Sequence, residues 1–281
     1  MRRISRLALV AVVLGGGCYQ DRNKSITQMN EGVRLALQKS YDSAARELQA
    51  ATQTDPSNEL AWYNLGKVYQ DNKKPDEAAK AFEEAVKLDS SNANYHYELG
   101  QAYQEGKKLD QAKAEYQACV KNDGKLYKCH FRLGAVLEGQ EKFKEADVEY
   151  RQSIQTNPRF VPPYLKLGYL YLDHDYDKES VQVFQNAVLA NPADGEAHLG
   201  LGLALQKSKQ WEESIKEFKA ARERNSELFL AVYNIGITYK MMGDKANAKQ
   251  WLQQFITGAG TKGTAELVKA AQDSMYQLDA P

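Results

Sequence analysis

The sequence predicts an all-α protein in which seven helix pairs stack as a solenoid and one further helix caps the C-terminal end. Glycine recurs every 34 residues, without an insertion, at Gly32, Gly66, Gly100, Gly134, Gly168, Gly202 and Gly236. The apolar residues around each glycine follow the 3.6-residue period of an amphipathic helix. With 43% apolar and 26% charged residues, the chain has the composition of a protein that buries a core. A period of this length indicates stacked supersecondary units.

The first 17 residues have the pattern of a secretion signal. Three arginines in MRRISR precede the apolar run LALVAVVL, and GGG leads directly to Cys18. The segment resembles a bacterial lipoprotein signal peptide, although Leu14 lies four residues before Cys18 rather than three. The resemblance implies cleavage before Cys18 and attachment of a diacylglyceryl lipid to that cysteine. Ordinary secretion, with an incidental cysteine, is the alternative interpretation.

Residues 18–24 are predicted to be the acylated cysteine and a short tether. Because Tyr19 rather than aspartate follows Cys18, the lipoprotein resemblance implies the outer membrane. Acyl chains contribute about 0.8 kcal/mol per buried CH₂, so several chains anchor a protein without a transmembrane helix. We therefore expect a protein of the bacterial outer membrane that faces the periplasm, with the covalent lipid on Cys18 and no other cofactor.

The seven predicted units each carry two amphipathic helices. They span 25–58, 59–92, 93–126, 127–160, 161–194, 195–228 and 229–262. Counted from the start of each unit, positions 4, 7, 8 and 11 form the apolar stripe of a first helix, and positions 20, 24 and 27 that of a second. Position 8 is always glycine, which costs about 0.5–1 kcal/mol relative to alanine within a helix. We predict that the missing Cβ at Gly66 and its equivalents lets the second helix approach closely.

One unit carries a complete family motif. Trp62, Leu65, Gly66 and Tyr69 match the pattern W-x₂-L-G-x₂-Y, and the chain therefore resembles the tetratricopeptide repeat over 25–262. The resemblance implies a right-handed superhelical solenoid whose first helices line a concave surface. It also implies a protein–protein interaction scaffold rather than an enzyme.

The segment 263–281 is predicted to be a capping helix and tail. The sequence TAELVKAAQDSMYQL places Leu267, Ala271, Met275 and Leu278 on one face, and Thr264 is a suitable N-cap. Because a solenoid leaves its last apolar face uncovered, such a helix is expected at its end.

The resemblance places the partner site on the concave surface, mainly at first-helix positions 2, 5, 9 and 12, and we predict a groove there. Its residues are Tyr63, Tyr97, Phe131, Leu165, Tyr169, Leu172, Leu199, Leu203, Tyr233 and Ile237. Units five to seven are the more apolar, whereas units two and three contribute polar residues such as Lys67, Gln70 and Gln101. Contiguous apolar surface of this kind marks partner sites, and a helix or an extended segment would suit it. Alternatively, the side chains at position 5 pack between helices.

No pattern in the sequence points to catalysis, metal binding or nucleic acid. His96, His130 and His198 all occupy position 4, the place of Trp62, so we interpret them as packing residues rather than ligands of one metal. Lysine plus arginine and aspartate plus glutamate both number 37, which leaves no basic surplus for nucleic acid. We expect neither an enzyme nor a small-molecule substrate.

Cys119 and Cys129 form a candidate disulfide. They lie ten residues apart, at position 27 of unit three and position 3 of unit four. Both positions face the interface between units, and export would place them in an oxidising compartment. A cysteine at position 27 also serves as a small core residue, so the spacing leaves both interpretations open.

The plan of a lipid anchor followed directly by repeats is similar to that of the pilotin lipoproteins, which bring secretins to the outer membrane during type IV pilus assembly. This similarity implies an assembly factor that binds an envelope protein in the groove and the membrane through its lipid. Two alternatives are a scaffold within a motility or secretion complex and an adaptor that docks peptidoglycan enzymes.

Overall fold

A computed structural model describes residues 7–259 and 265–279, with the side chains of 7–18, 259 and 279 left out. Over these residues the chain forms fifteen α-helices and no strand. The helices are α1 Leu7–Leu37, α2 Tyr41–Thr54, α3 Glu59–Asp71, α4 Pro75–Leu88, α5 Ala93–Glu105, α6 Leu109–Asn122, α7 Tyr127–Gly139, α8 Phe143–Thr156, α9 Pro162–Asp173, α10 Asp177–Ala190, α11 Gly195–Lys207, α12 Trp211–Arg224, α13 Phe229–Met241, α14 Lys245–Ala259 and α15 Ala265–Asp279. The predicted all-α fold class is confirmed.

The N-terminal predictions fall partly outside this description. Residues 1–6 of the predicted signal, the side chain of the proposed acyl acceptor Cys18, and the predicted cap Thr264 lie outside the described residues. The predicted tether, residues 18–24, is helical and continuous with the first helix of unit one, because α1 runs from Leu7 to Leu37. None of the described helices combines the length and the apolar character needed to cross a membrane.

The helices group into two compact bodies. The N-terminal body ends at Gln140 and contains α1–α7, and the C-terminal body begins at Glu141 and contains α8–α15. Within the N-terminal body, each of α1, α3 and α5 packs against the helix that follows it, and α1 also contacts α3. Within the C-terminal body, α9, α11 and α13 pack against their following helices, and α11 contacts both α9 and α13. First helices therefore lie side by side and form one face of each body.

Local sequence explains where these helices begin and end. The side chains of Asn58 and Asp194 accept hydrogen bonds from the backbone amides of Ala61 and Ala197, at 3.1 and 3.0 Å, which caps α3 and α11. Pro75 occupies the first turn of α4, where its missing N–H costs nothing. The turn inside each described helix pair has a left-handed residue at position 15, as in Lys73 with φ 57° and Gly243 with φ 80°.

Close packing at position 8 is confirmed. A Cβ built on Gly66 would lie 2.5 Å from the ring of Phe82, and one on Gly202 would lie 2.5 Å from Phe218. The equivalents Gly32, Gly100, Gly168 and Gly236 are equally tight against α2, α6, α10 and α14. A ring or a leucine side chain of the second helix therefore fills the space that a Cβ would occupy.

One further glycine contributes to this packing. A Cβ on Gly200, at position 6 of unit six, would overlap the ring of Phe184 of the preceding unit. The ring of Phe184 is thus held between Gly168 of its own unit and Gly200 of the next. It is fully buried, as are the equivalent rings of Phe82 and Phe218.

The last helix covers the end of the C-terminal body, as predicted. Ala271 and Leu278 of α15 are buried in one cluster with Leu252 and Phe255 of α14, and Leu267 and Met275 pack against that cluster. The residues of α15 that make these contacts are the four that the sequence places on one apolar face.

Candidate functional site

The first-helix face of the N-terminal body carries three predicted groove residues, each half-buried. Tyr63 packs its ring on Phe82 at 5.9 Å and on Tyr95 at 5.3 Å between centroids. Tyr97 packs on Tyr116 at 6.2 Å. One side of each ring therefore packs on the core and the other side is accessible. Position 5 thus both packs between helices and contributes to the groove surface. Phe131 is half-buried as well, with the Arg132 guanidinium 5.9 Å from its ring centroid.

Polar contacts join neighbouring first helices on this face. The Lys67 ammonium lies 3.1 Å from a carboxylate oxygen of Glu98, and the amide of Gln70 donates to Glu105 at 3.4 Å. Burial raises the pKa of the Tyr63 hydroxyl, and the nearby Glu98 carboxylate adds to that effect. The groove surface of the N-terminal body is therefore aromatic with polar bridges.

The C-terminal body carries seven predicted groove residues, which the structure places at different depths. Leu199 is only 3% exposed and belongs to the core of α11 and α12, so it is not available to a partner. Leu165 is half-buried against the cluster around Phe184. Tyr233 and Ile237 are half-buried against the cluster that contains Phe255. Tyr233 packs on the Phe255 ring at 5.4 Å.

Tyr169, Leu172 and Leu203 come together in one open cavity of about 530 Å³. Two residues that sequence reasoning missed, Trp211 and Met241, complete its apolar lining. Trp211 starts α12, and Met241 ends α13 with 57% of its surface exposed. A cavity of this size accommodates one or two side chains of a partner segment. Trp211 and Met241 were missed because positions 17 and 13 lie outside the first-helix stripe that the repeat pattern assigns to the groove.

One charged side chain at the edge of this cavity is held by hydrogen bonds to its neighbours. Lys207 lies at its edge, where its ammonium donates to the Asp175 carboxylate at 2.7 Å and to the backbone carbonyl of Leu172 at 2.6 Å. Burial raises the pKa of the Tyr169 hydroxyl to about 12, and the carboxylates of Glu196 and Asp194 add to that effect. Burial also raises the pKa of the Glu196 carboxyl, which lies at the start of the neighbouring helix α11.

The three position-4 histidines are buried inside helix pairs. His96 is 7% exposed, with Nδ1 2.6 Å from the Glu115 carboxylate and Nε2 3.1 Å from the carbonyl of Ser90. His198 repeats this arrangement with Glu217 and Pro192, and the Nε2 atom of His130 lies 3.1 Å from the carbonyl of Gly124. Within the part of the chain that the structure describes, no group of three His, Cys, Asp or Glu side chains converges on a metal-sized space.

Cys119 of α6 and Cys129 of α7 are joined as a disulfide in the structure, with their Cα atoms 6.0 Å apart. Both side chains are fully buried, in a cluster with Ala93. The bond links the second helix of unit three to the first helix of unit four. The sequence left open whether these cysteines are core residues or disulfide partners. In the structure they are both, since they are buried and bonded to each other.

Comparison with known families identifies the repeats. Models of the tetratricopeptide repeat match residues 32–73, 60–92, 93–125, 165–228 and 230–257. No curated protein sequence matches the chain.

Solved structures share the fold at low sequence identity. A tetratricopeptide-repeat protein from Cytophaga hutchinsonii matches with a TM-score of 0.69 at 14% identity, over 86% of this chain and 98% of that one. PilF of Pseudomonas aeruginosa matches with a TM-score of 0.64 at 17% identity, over 78% and 98% of the two chains. YrrB, described as having an unusual peptide-binding site, matches with a TM-score of 0.59 at 22% identity, over 69% and 99%. The family models and the packing of the helix pairs together make this chain a tetratricopeptide-repeat protein.

Proposed function

We propose that the protein is a lipid-anchored assembly factor of the bacterial outer membrane, which holds a segment of another envelope protein on the first-helix face of its C-terminal body. The observation that carries the binding proposal is the open cavity lined by Tyr169, Leu172, Leu203, Trp211 and Met241. A tetratricopeptide scaffold is suited to protein–protein interaction, and the related fold of YrrB is described with a peptide-binding site.

The cavity favours an apolar side chain on an extended or helical segment. Its walls are contributed by α9, α11, α12 and α13, so a segment lying across these helices would place one anchor in the cavity. Lys209 and Asp173 also line the cavity, so its edge offers one charge of each sign to polar groups beside that anchor.

The location and partner class rest on the sequence. The signal-like segment that ends at Cys18 supports export and acylation. The order of the segments, a lipid anchor followed directly by repeats, supports a role like that of the pilotin lipoproteins. The partner is then a secretin of a type IV pilus system. A scaffold of a motility or secretion complex and an adaptor for peptidoglycan enzymes remain the alternatives.

Site-specific photocrosslinking in cells tests this proposal. A photoreactive amino acid is placed at Leu203, and the matched control carries it at Leu189, which is 77% exposed on the second helix α10. Capture of a secretin at Leu203 alone supports the assembly role, whereas capture of a cell-wall enzyme supports the adaptor. Identical captures at both positions would exclude this cavity as the binding site.

A charge substitution supplies an independent test. Leu203→Glu is expected to abolish capture by a crosslinker at Met241 while helical content, measured by circular dichroism, stays unchanged, because a carboxylate in the cavity opposes burial of an apolar anchor. Leu189→Glu is the matched control and should leave capture intact. Undiminished capture by the Leu203→Glu variant would contradict the proposal.

A further inference from the structure

Adjacent units of the N-terminal body are bridged by a recurring contact centred on an aspartate at position 18. Asn72 and Lys74, at positions 14 and 16 of unit two, donate to Asp42 of unit one at 3.1 and 3.4 Å. Lys108 of unit three donates to Asp76 of unit two at 2.7 Å. Gln140 of unit four donates to Asp110 of unit three at 3.1 Å. Each bridge joins the first turn of one second helix to the turn inside the next helix pair.

The junction between units four and five cannot form the same bridge. Position 18 of unit four is Lys144 instead of aspartate, and positions 14 and 16 of unit five are His174 and Tyr176. Across this junction the ring of Phe143 packs on His174 at 4.4 Å, and within unit five the rings of Tyr176 and Tyr171 pack at 5.9 Å between centroids. This junction therefore lacks all three bridging groups of the N-terminal body, as does the junction between units five and six, which has Lys178, Ser208 and Gln210 at these positions.

An open cleft of about 710 Å³ lies at this junction, within the C-terminal body. Phe143, Tyr171, His174 and Tyr176 supply its rings, and Tyr176 is 56% exposed. The cleft shares no residue with the groove cavity around Leu203, so it is a separate site.

The charges of the cleft favour a cation. Its lining contains four carboxylates and two ammonium groups, and these are Glu141, Glu145, Asp147, Glu179, Lys142 and Lys144. Asp147 is already held by Arg151 and by the hydroxyl of Tyr171. The exposed carboxylates of Glu141, Glu145 and Glu179 stand beside the exposed ring of Tyr176 and remain accessible to a ligand.

We propose that this cleft binds an arginine side chain presented by a short basic segment of a partner protein. A guanidinium stacks flat on an aromatic ring while its N–H groups reach a carboxylate, and rings beside carboxylates offer both contacts at once. A lysine ammonium lacks the planar face, and a neutral aromatic side chain would leave the carboxylates unpaired. The cleft is thus a second contact point, independent of the apolar groove.

Binding of short fluorescent peptides to the purified full chain, followed by anisotropy, tests this inference. The peptides differ at one central residue, which is arginine, citrulline or phenylalanine. Citrulline keeps the shape of arginine and removes its charge, so the arginine peptide is expected to bind about tenfold more tightly. Added salt should reduce that difference.

Variants locate the binding in the cleft. Tyr176→Ala and Glu179→Gln should each weaken the arginine peptide about tenfold. Tyr276→Ala is the matched control, since Tyr276 is an 80% exposed tyrosine on α15. The double change Lys144→Asp with Tyr176→Lys rebuilds the bridge and should remove binding without lowering the melting temperature.

Four results would overturn the inference. One is equal affinity for the arginine and citrulline peptides. Another is tighter binding of the phenylalanine peptide, which would make the cleft an apolar site. The third is no binding at all, and the fourth is arginine-peptide binding that the cleft variants change no more than Tyr276→Ala does.

Discussion

Gly66 and Gly139 differ in what a methyl group would meet at each position. A Cβ at Gly66 would lie 2.5 Å from the Phe82 ring, whereas one at Gly139 has nothing within 4 Å. Both residues are helical, so helix propensity alone would favour alanine at either site. The cost at Gly66 is therefore a matter of packing.

Gly66→Ala is expected to lower the free energy of unfolding by about 1–3 kcal/mol, since an extra carbon in a packed core displaces its neighbours. Gly139→Ala should leave it unchanged or raise it by up to about 1 kcal/mol. Denaturant unfolding followed by circular dichroism measures both. Equal effects of the two substitutions would remove the packing explanation.

The His96 imidazole is a second residue whose environment decides its behaviour. Both ring nitrogens face acceptors, the Glu115 carboxylate and the Ser90 carbonyl, and only an imidazolium donates to both. The Glu115 carboxylate, which accepts from Nδ1, raises the pKa of His96, and Asp89 adds a smaller contribution in the same direction. Protonated His96 thus connects the two helices of unit three.

Because the folded pKa is raised, the stabilisation by His96 is complete below its ordinary pKa of about 6.5 and is lost as pH rises through the folded value. The free energy of unfolding should therefore fall between about pH 6 and pH 8 by more in the natural protein than in Glu115→Gln. Denaturant titrations at both pH values measure this difference. If the two proteins showed the same pH dependence, His96 would not carry that stabilisation.

At the scale of elements, the turn inside each helix pair has a fixed backbone requirement. Position 15 is left-handed in every described turn, with φ between 57° and 61° at six non-glycine residues and 80° at Gly243. The six are Lys39, Lys73, Lys107, Glu141, Asp175 and Lys209. For a residue with a Cβ, this conformation raises the free energy of the folded state by about 1 kcal/mol, whereas glycine adopts it without that penalty.

Lys73→Gly is accordingly expected to raise the free energy of unfolding by up to about 1 kcal/mol, and Gly243→Ala to lower it by about the same amount. No atom lies within 4 Å of a Cβ on Gly243, so the second effect is conformational rather than steric. Thermal unfolding of the two variants checks both signs. A stabilising Gly243→Ala would show that this turn relaxes.

The disulfide acts on a pair of elements, α6 and α7. It closes a loop of ten residues, for which about 2–3 kcal/mol of stabilisation is expected. Reduction should lower the denaturation midpoint, and Cys119→Ser with Cys129→Ser should lower it similarly and remove the response to reductant. Thiol counting on the denatured, unreduced protein gives the direct answer, because two labelled thiols from this pair would exclude the bond.

At the scale of the whole molecule, the proposed lipid anchor makes a clear prediction. Cys18→Ser should move the protein from the membrane fraction to the soluble periplasmic fraction, because the acyl chains would supply the membrane affinity. The natural protein should incorporate a palmitate analogue and the variant should not. Leu189→Ser, at a site that is 77% exposed on α10, is the control and should remain labelled and membrane-bound. Membrane association that survives Cys18→Ser would indicate attachment through another part of the protein.

Periodicity was enough to predict the repeats. A glycine every 34 residues, set in a 3.6-residue apolar pattern, predicts seven helix pairs, the close contact at Gly66 and the covering helix at the end. These features depend on the spacing of residues along a helix and on the need to bury apolar faces. Both can be read directly from the order of the amino acids. The lipid anchor and the envelope partner also come from the sequence, and they stay predictions.

Only the tertiary structure decided which groove residues are accessible and where other sites form. Leu199 matches Leu203 in residue type and lies on the same helix, yet it is buried while Leu203 lines a cavity with Trp211 and Met241. The cleft between Phe143 and Tyr176 likewise forms from side chains of two units that meet across a junction. Sequence spacing assigns a side chain to a helix face, but its depth and neighbours depend on how adjacent helices pack, and that is settled in three dimensions.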